Sequence, residues 1–300
     1  MAFGNMMRAI GEEFSVYTAR IFFVASGIFD VVNDLRIHVL FNYFLVVSWF
    51  LKSSGVDTRD AVEYGLTGLS IAGTVYLLNR YADYHYDLVA DAGLAKAPRQ
   101  MYLVAAAIFF IAGMPYIVQN PITILPSIFG LTFGTLYSFR TFFRYPLKNY
   151  LFTKNLVAAG SKYIATFGGA LIFVPFTDLL FARSISMFAF HLIYEILWDI
   201  RDMAADRVGK VSTIPLKFGK PIALLACVII GLVSFSFQFG EVKHTDHFFT
   251  KYMIVLFFIG SLVWVKHPRW FHVMIYAHIV LNLVYVNDEI LQYISILFLP

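Results

Sequence analysis

Charge is what this 300-residue sequence has least of: Asp, Glu, Lys and Arg make up only 14% of it, where soluble proteins carry roughly 25%. Together with 59% hydrophobic residues and a mean hydropathy of +0.71, that shortfall excludes an ordinary water-soluble globule. Cysteine is almost absent. The single Cys227 permits neither an intramolecular disulfide nor a CxxC metal site. The sequence has no low-complexity tract and no twelve-residue loop with calcium-ligand spacing. A net charge of +4 is too small and too dispersed to call for nucleic acid, and no feature calls for an obligate protein partner. Residues 1–36 lack the uninterrupted apolar core of a signal peptide, because Arg8, Glu12, Glu13, Arg20, Asp30, Asp34 and Arg36 break it. Phe14, Tyr17, Ile21 and Phe22 fall at helical spacing, which reads as an interfacial helix or, alternatively, a short buried segment.

What is present instead is a series of apolar runs at 37–52, 61–79, 101–118, 121–139, 155–176, 182–200, 221–239, 249–265 and 270–297. Their lengths are close to the roughly 20 residues a bilayer-spanning helix needs. The expectation is an all-α, multi-pass integral membrane protein with nine transmembrane helices in one domain over 1–300. Lys and Arg cluster in the N-terminal segment and in the connections after the even-numbered spans, whereas the opposite side holds only Lys52, Arg59, Arg183, Lys243 and Lys251. The positive-inside rule then places the N-terminus and the even connections in the cytoplasm, with the protein in a cell (inner) membrane. Gly130 and Gly134 form a GxxxG pair, and Gly65, Gly68 and Gly73 recur in the second span, so close helix approach is expected at both.

The chemistry-bearing feature is a carboxylate pattern that appears twice. At the end of the second span NRYADYHYD places Asn79, Asp83 and Asp87 one helical turn apart, with Asp91 a turn further. At the end of the sixth, EILWDIRDMAAD does the same for Glu195, Asp199, Asp202 and Asp206. Like charges one turn apart repel, so each stripe needs a cation. Mg²⁺ suits it: a hard ion, held by one or two carboxylates plus substrate phosphates. Two facing acidic walls would hold a diphosphate, complemented by Arg80, Lys96, Arg99, Arg140, Arg144, Lys148, Lys154, Arg201, Arg207 and Lys210 on the same side. Lys162 stands apart, inside an apolar span and on one face with Asn155. Three partners are open to it: a diphosphate oxygen, a carboxylate such as Glu195, or the membrane interface by snorkelling. A cation left by diphosphate departure wants π faces around it, and Tyr81, Tyr84, Tyr137, Tyr163, Tyr194 and Trp198 are near enough in sequence to supply them.

At these residues the sequence resembles the UbiA superfamily of intramembrane prenyltransferases. NRYADYHYD is similar to the first Asp-rich signature of that family and DIRDMAADRVGKVSTIPLKFG to the second; RIHVLFN, LYSF and YPLKN are supporting segments. The resemblance implies a helical bundle around a central cavity, Mg²⁺ as cofactor, and transfer of an isoprenoid chain from a polyprenyl diphosphate to a membrane-associated acceptor. It implies that Asp83, Asp87, Asp202 and Asp206 carry catalysis, with Asn79, Asp83, Asp87, Asp199, Asp202 and Asp206 as metal ligands. Lys96, Tyr137, Lys148, Asn155, Lys162 and Arg201, with Asn79, are the expected diphosphate-binding set. Arg80 replaces an Asp of the first signature, and Lys96 is the basic substitute in AKAPR. The expected partners are the prenyl diphosphate, a lipophilic acceptor, aromatic or otherwise, and membrane lipid. Two other readings compete: a terpene cyclase of the same superfamily acting without an acceptor, and a transporter. A transporter calls for carboxylates near the bilayer midplane at broken helices, whereas these lie at span ends.

Overall fold

The computed structural model describes residues 34–90, 97–139 and 147–238. The predicted eighth and ninth spans, most of the interfacial segment, Asp91, Lys96, Arg140 and Arg144 lie outside the described residues. Within them the chain is helical, with no strand. In chain order the α-helices are α1 (Ile37–Ser53), α2 (Thr58–Ala82), α3 (Tyr84–Ala90), α4 (Arg99–Gln119), α5 (Ile124–Ser138), α6 (Thr153–Phe173), α7 (Asp178–Val208), α8 (Ile214–Phe218) and α9 (Lys220–Gln238). Four of them, α2, α4, α6 and α7, are long and apolar enough to cross a membrane. The protein is an integral membrane protein.

Local chemistry sets the helix limits. Asp57 caps α2 by accepting from the Arg59 N–H at 2.9 Å, and Thr177 caps α7 by accepting from Leu180 N–H at 3.1 Å. Gly219, at φ 89°, closes the short α8 in a conformation open to glycine at no steric cost. Phe44, Leu45, Phe50 and Leu51 of α1 bury against Ala61, Val62 and Tyr64 of α2 and Met187, Ile193 and Ile196 of α7, forming the main core.

α2 is the central post. Gly73 faces the Phe109 ring of α4, Gly113 of α4 faces Ser70, and Gly134 of α5 faces Val75. A Cβ on Gly134 would lie 2.3 Å from Val75 Cγ1, whereas one on Gly160 of α6 would meet nothing within 4 Å. Both are helix-interior glycines, so intrinsic propensity favours alanine at each by about 0.5–1 kcal/mol. The signs should separate. Gly160→Ala is expected to raise the melting temperature in detergent, whereas Gly134→Ala should lower it, because overpacking costs about 1–3 kcal/mol.

Candidate active site

The first acidic wall is not one continuous helix, as its spacing predicts. α2 ends at Ala82, Asp83 sits at φ −97°, ψ 13°, and α3 begins at Tyr84. Register survives the break: the Asp83 N–H donates to Asn79 C=O at 2.8 Å, and the Asp87 N–H to Asp83 C=O at 2.9 Å. Asn79, Asp83 and Asp87 therefore remain stacked. The second wall is the unbroken α7, which carries Glu195, Asp199, Asp202 and Asp206 along its last turns. α3 joins the walls directly, because Tyr86 Oη donates to Asp206 Oδ1 at 2.5 Å. Burial holds the Tyr86 phenol well above its usual pKa, so it stays a donor.

Between the walls lies a cavity of about 430 Å³. Asn79, Asp83 and Asp87 line it from one side and Glu195, Asp202 and Asp206 from the other. Tyr137, Lys148, Lys154, Lys162 and Arg201 are also in its lining. The fold thus brings most of the sequence-derived set to one chamber, and Lys96 lies outside the described residues.

Asn155 and Asp199 are the exceptions. Neither lines the cavity; Asn155 Nδ2 donates to Asp199 Oδ2 at 2.8 Å, and Lys154 Nζ lies 2.7 Å from Asp199 Oδ1. Asp199 is fully buried, and a carboxylate so placed needs a cation and a donor more than it offers an open ligand. Asn155 and Asp199 thus pair with each other and with Lys154 behind the cavity lining. Lys162, for which three partners are open from sequence, forms an ion pair with Glu195 and lines the chamber. Tyr81 stacks under the Arg99 guanidinium, Tyr84 packs on Tyr102 and Tyr163 on Phe167, whereas Tyr137 and Trp198 line this cavity, and Tyr194 and Trp198 a neighbouring one.

Repulsion along each stripe is answered by internal cations. Lys148 pairs with Asp83, Arg80 Nη1 with Asp87 Oδ2 at 3.1 Å, and Arg201 Nε with Asp202 Oδ1 at 2.6 Å. Lys154 serves two carboxylates at once, with Asp206 Oδ1 at 3.1 Å besides Asp199. Asp206 Oδ2, buried, finds no hydrogen-bond partner among the described residues. No three His, Cys, Asp or Glu side chains among them converge on one point. Mg²⁺ needs no such cage, since one or two carboxylates and substrate phosphates suffice. Oxygen-only donors on two facing walls, with an acceptor oxygen left over at Asp206, fit that ion.

Several residues here escape sequence reasoning. Tyr86 hides inside the first motif, where its phenol looks like packing. Lys154 is visible as one basic residue among many, and only folding shows it shared between two carboxylates. Arg36 is the least expected: a buried guanidinium in the cavity lining, on a left-handed backbone at φ 57°, with Cζ 5.1 Å from the Trp198 ring centroid. Arg201 Cζ lies 4.2 Å from the same ring, so Trp198 is shared by two cations.

Adjoining the acidic cavity is a second, apolar chamber of about 170 Å³; Val39, Tyr76, Lys162 and Trp198 line both. The model of the UbiA prenyltransferase family matches residues 39–284. Among solved structures, the chain is similar to a UbiA homolog from Archaeoglobus fulgidus bound to GPP and Mg²⁺, at 14% identity and TM-score 0.62, covering 89% of this chain and 99% of that one. The same homolog bound to DMAPP and Mg²⁺ gives 11% identity and TM-score 0.59, covering 88% and 98%. A UbiA homolog from Aeropyrum pernix in its apo form gives 14% and 0.50, covering 83% and 98%. No curated protein matches the chain by sequence.

Proposed function

Since this chain belongs to the UbiA prenyltransferase family, we propose that it is a Mg²⁺-dependent intramembrane enzyme that ionises a polyprenyl diphosphate and transfers the isoprenoid chain to an aromatic or other lipophilic acceptor. One observation carries this reading: two acidic walls line one cavity, and an apolar chamber adjoins it. A diphosphate belongs in the first and hydrocarbon in the second. The solved homolog bound to GPP and Mg²⁺ supports the same substrate class.

Asp83 and Asp87 on one wall, and Asp202 and Asp206 on the other, would hold Mg²⁺, with Asn79 beside the first pair. When bound, the metal supplies Lewis-acid stabilisation of the charge on the leaving diphosphate. Lys148, Lys162 and Arg201, which line the same cavity, add fixed positive charge to the diphosphate oxygens. Lys154 keeps Asp199 and Asp206 fixed, so the second wall is organised before substrate arrives. Tyr137 and Trp198 line the same cavity and would present aromatic faces to the cationic carbon. The positive-inside pattern supports a cytoplasmic diphosphate site.

The test is diphosphate release by the purified protein in detergent, with C10 to C20 prenyl diphosphates, with and without phenolic, quinoid and isoprenoid acceptors. Release that needs Mg²⁺ and an acceptor is the expected result. Release without an acceptor, accompanied by a cyclic hydrocarbon, would replace transfer by cyclisation. Release that persists undiminished in EDTA would overturn the metal assignment.

A further inference from the structure

We propose that the cavity between the acidic walls selects a preformed metal–diphosphate complex over either component alone. Lys148 and Arg201 enforce the choice by holding Asp83 and Asp202 until a diphosphate draws them off; the proposal rests on the transferase reading and specifies the species its site admits. Six cationic side chains line the cavity against five carboxylates, so by formal charge its lining is net positive despite the two acidic walls. Each of the five carboxylates is matched. Asp83 pairs with Lys148, Asp87 with Arg80, Glu195 with Lys162, Asp202 with Arg201 and Asp206 with Lys154. A divalent cation entering by itself meets like charge and must displace a lysine or an arginine whose own charge is then left without a counter-ion. A free diphosphate meets carboxylates that already hold the cations it needs. The complex answers both difficulties: its metal edge takes the carboxylates, its phosphate oxygens take the released cations, and no buried charge is left unpaired.

Burial separates the pairs that can exchange from those that cannot. Lys154 serves Asp199 and Asp206, both fully buried, and the Arg80 guanidinium is anchored on buried Asp34 at 2.6 Å. Those two cations stay in place. Among the expected metal ligands, the other two pairs reach the cavity through both partners: Lys148 and Asp83 have side chains 12% and 15% exposed, Arg201 and Asp202 9% and 11%. They also stand on opposite walls, Asp83 at the end of α2 and Asp202 on α7, so a complex that bridges the walls engages both at once. Each cation has a position to take up afterwards. Arg201 keeps the Trp198 ring, whose centroid is 4.2 Å from its Cζ. Lys148 projects from the short turn Leu147–Asn149, and its flexible four-carbon stem lets the ammonium pivot from a carboxylate to a phosphate oxygen.

The experiment measures two equilibria on the purified protein in detergent, with no turnover: Mn²⁺ alone by electron paramagnetic resonance, and radiolabelled inorganic pyrophosphate by equilibrium dialysis, in EDTA and in saturating Mg²⁺. The unmodified protein should bind pyrophosphate about tenfold or more tightly with Mg²⁺ than in EDTA, a coupling of ordinary size. Lys148→Met keeps an unbranched stem and removes the charge. It should tighten Mn²⁺ alone by about tenfold and weaken pyrophosphate in Mg²⁺ by about as much, and Lys148→Arg, which restores the charge, should reverse both. Opposite signs are the signature, because a merely structural loss weakens both ligands together. Equal pyrophosphate affinity in EDTA and in Mg²⁺ would overturn the proposal even if the Met variant failed to fold. So would a Mn²⁺ affinity unchanged or weakened in a Lys148→Met protein with an unaltered melt. Either failure leaves release from prenyl diphosphates as a separate measurement, so loss of this binding order is distinguishable from loss of the transferase reading.

Discussion

Asp202→Asn is expected to lower Mg²⁺-dependent diphosphate release by about 10²–10³-fold, the usual effect of removing one preorganised group that stabilises developing charge. The substitution keeps shape and size. Asp202 sits mid-wall on α7 with its side chain in the cavity, and its carboxylate is held by Arg201, which retains Trp198 as a second support when the charge is gone. Stability should therefore change little while catalysis collapses. Asp83→Asn on the opposite wall should do the same, its Lys148 partner lying half-buried at the cavity edge. The check is a pair of measurements on each variant: diphosphate release, and Mn²⁺ binding by electron paramagnetic resonance as a metal readout separate from turnover. Full activity in either variant, with an unaltered melt, would remove that carboxylate from the metal site. Both variants together distinguish a two-walled site from a site built on one wall.

How far the sequence foretells this arrangement depends on whether the signal is local. Helix register is local: the spacing of Glu195, Asp199, Asp202 and Asp206 needs only an intact α7, and α7 runs unbroken from Asp178 to Val208. Span limits are also legible from apolar runs, so the expected 37–52 is realised as Ile37–Ser53 and 221–239 as Lys220–Gln238. The close approaches at Gly73 and Gly134 follow from small residues at helical spacing. What spacing does not carry is which cation answers which carboxylate. Nothing in the sequence distinguishes Lys154, which bridges Asp199 and Asp206, from Arg207 or Lys210, which are exposed. Asn155 and Asp199 likewise look identical in type to residues that face the cavity, and only the rotation of α6 against α7 turns them toward each other. The break at Asp83 is hidden for a related reason. No Gly or Pro marks it, and the backbone bonds on both sides of it keep the period of a helix.

The largest stability loss is expected at the residue that departs most from the first motif, Arg80. Its guanidinium is 2% exposed and donates through Nη2 to Asp34 Oδ1 at 2.6 Å, while Nη1 lies 3.1 Å from Asp87 Oδ2 and Cζ lies 5.6 Å from the Tyr102 ring centroid. Asp34 Oδ2 in turn accepts from Tyr102 Oη at 2.8 Å and from the Ala97 N–H at 2.9 Å. One buried cation thus ties the segment before α1, the end of α2, α3 and the start of α4 into a single network. Arg80→Ala takes the guanidinium away from the Asp34 carboxylate, which is only 2% exposed. Removing one partner of a buried pair costs about 3–5 kcal/mol, so the melting temperature in detergent should fall by roughly 6 °C or more. The asymmetry of such pairs provides the decisive comparison. A double variant, Arg80→Leu with Asp34→Asn, removes both charges and keeps a side chain that can still meet Tyr102 and the Ala97 N–H, so it should recover over half of the loss. Equal melts for the single and double variants would mean that Arg80 acts through packing rather than charge. An unchanged melt for Arg80→Ala would dissolve the network altogether. Asp87, whose side chain is 14% exposed at the cavity, remains in both variants without its guanidinium; any loss of Mn²⁺ binding common to the two therefore reports on the first acidic wall and not on the fold that carries it.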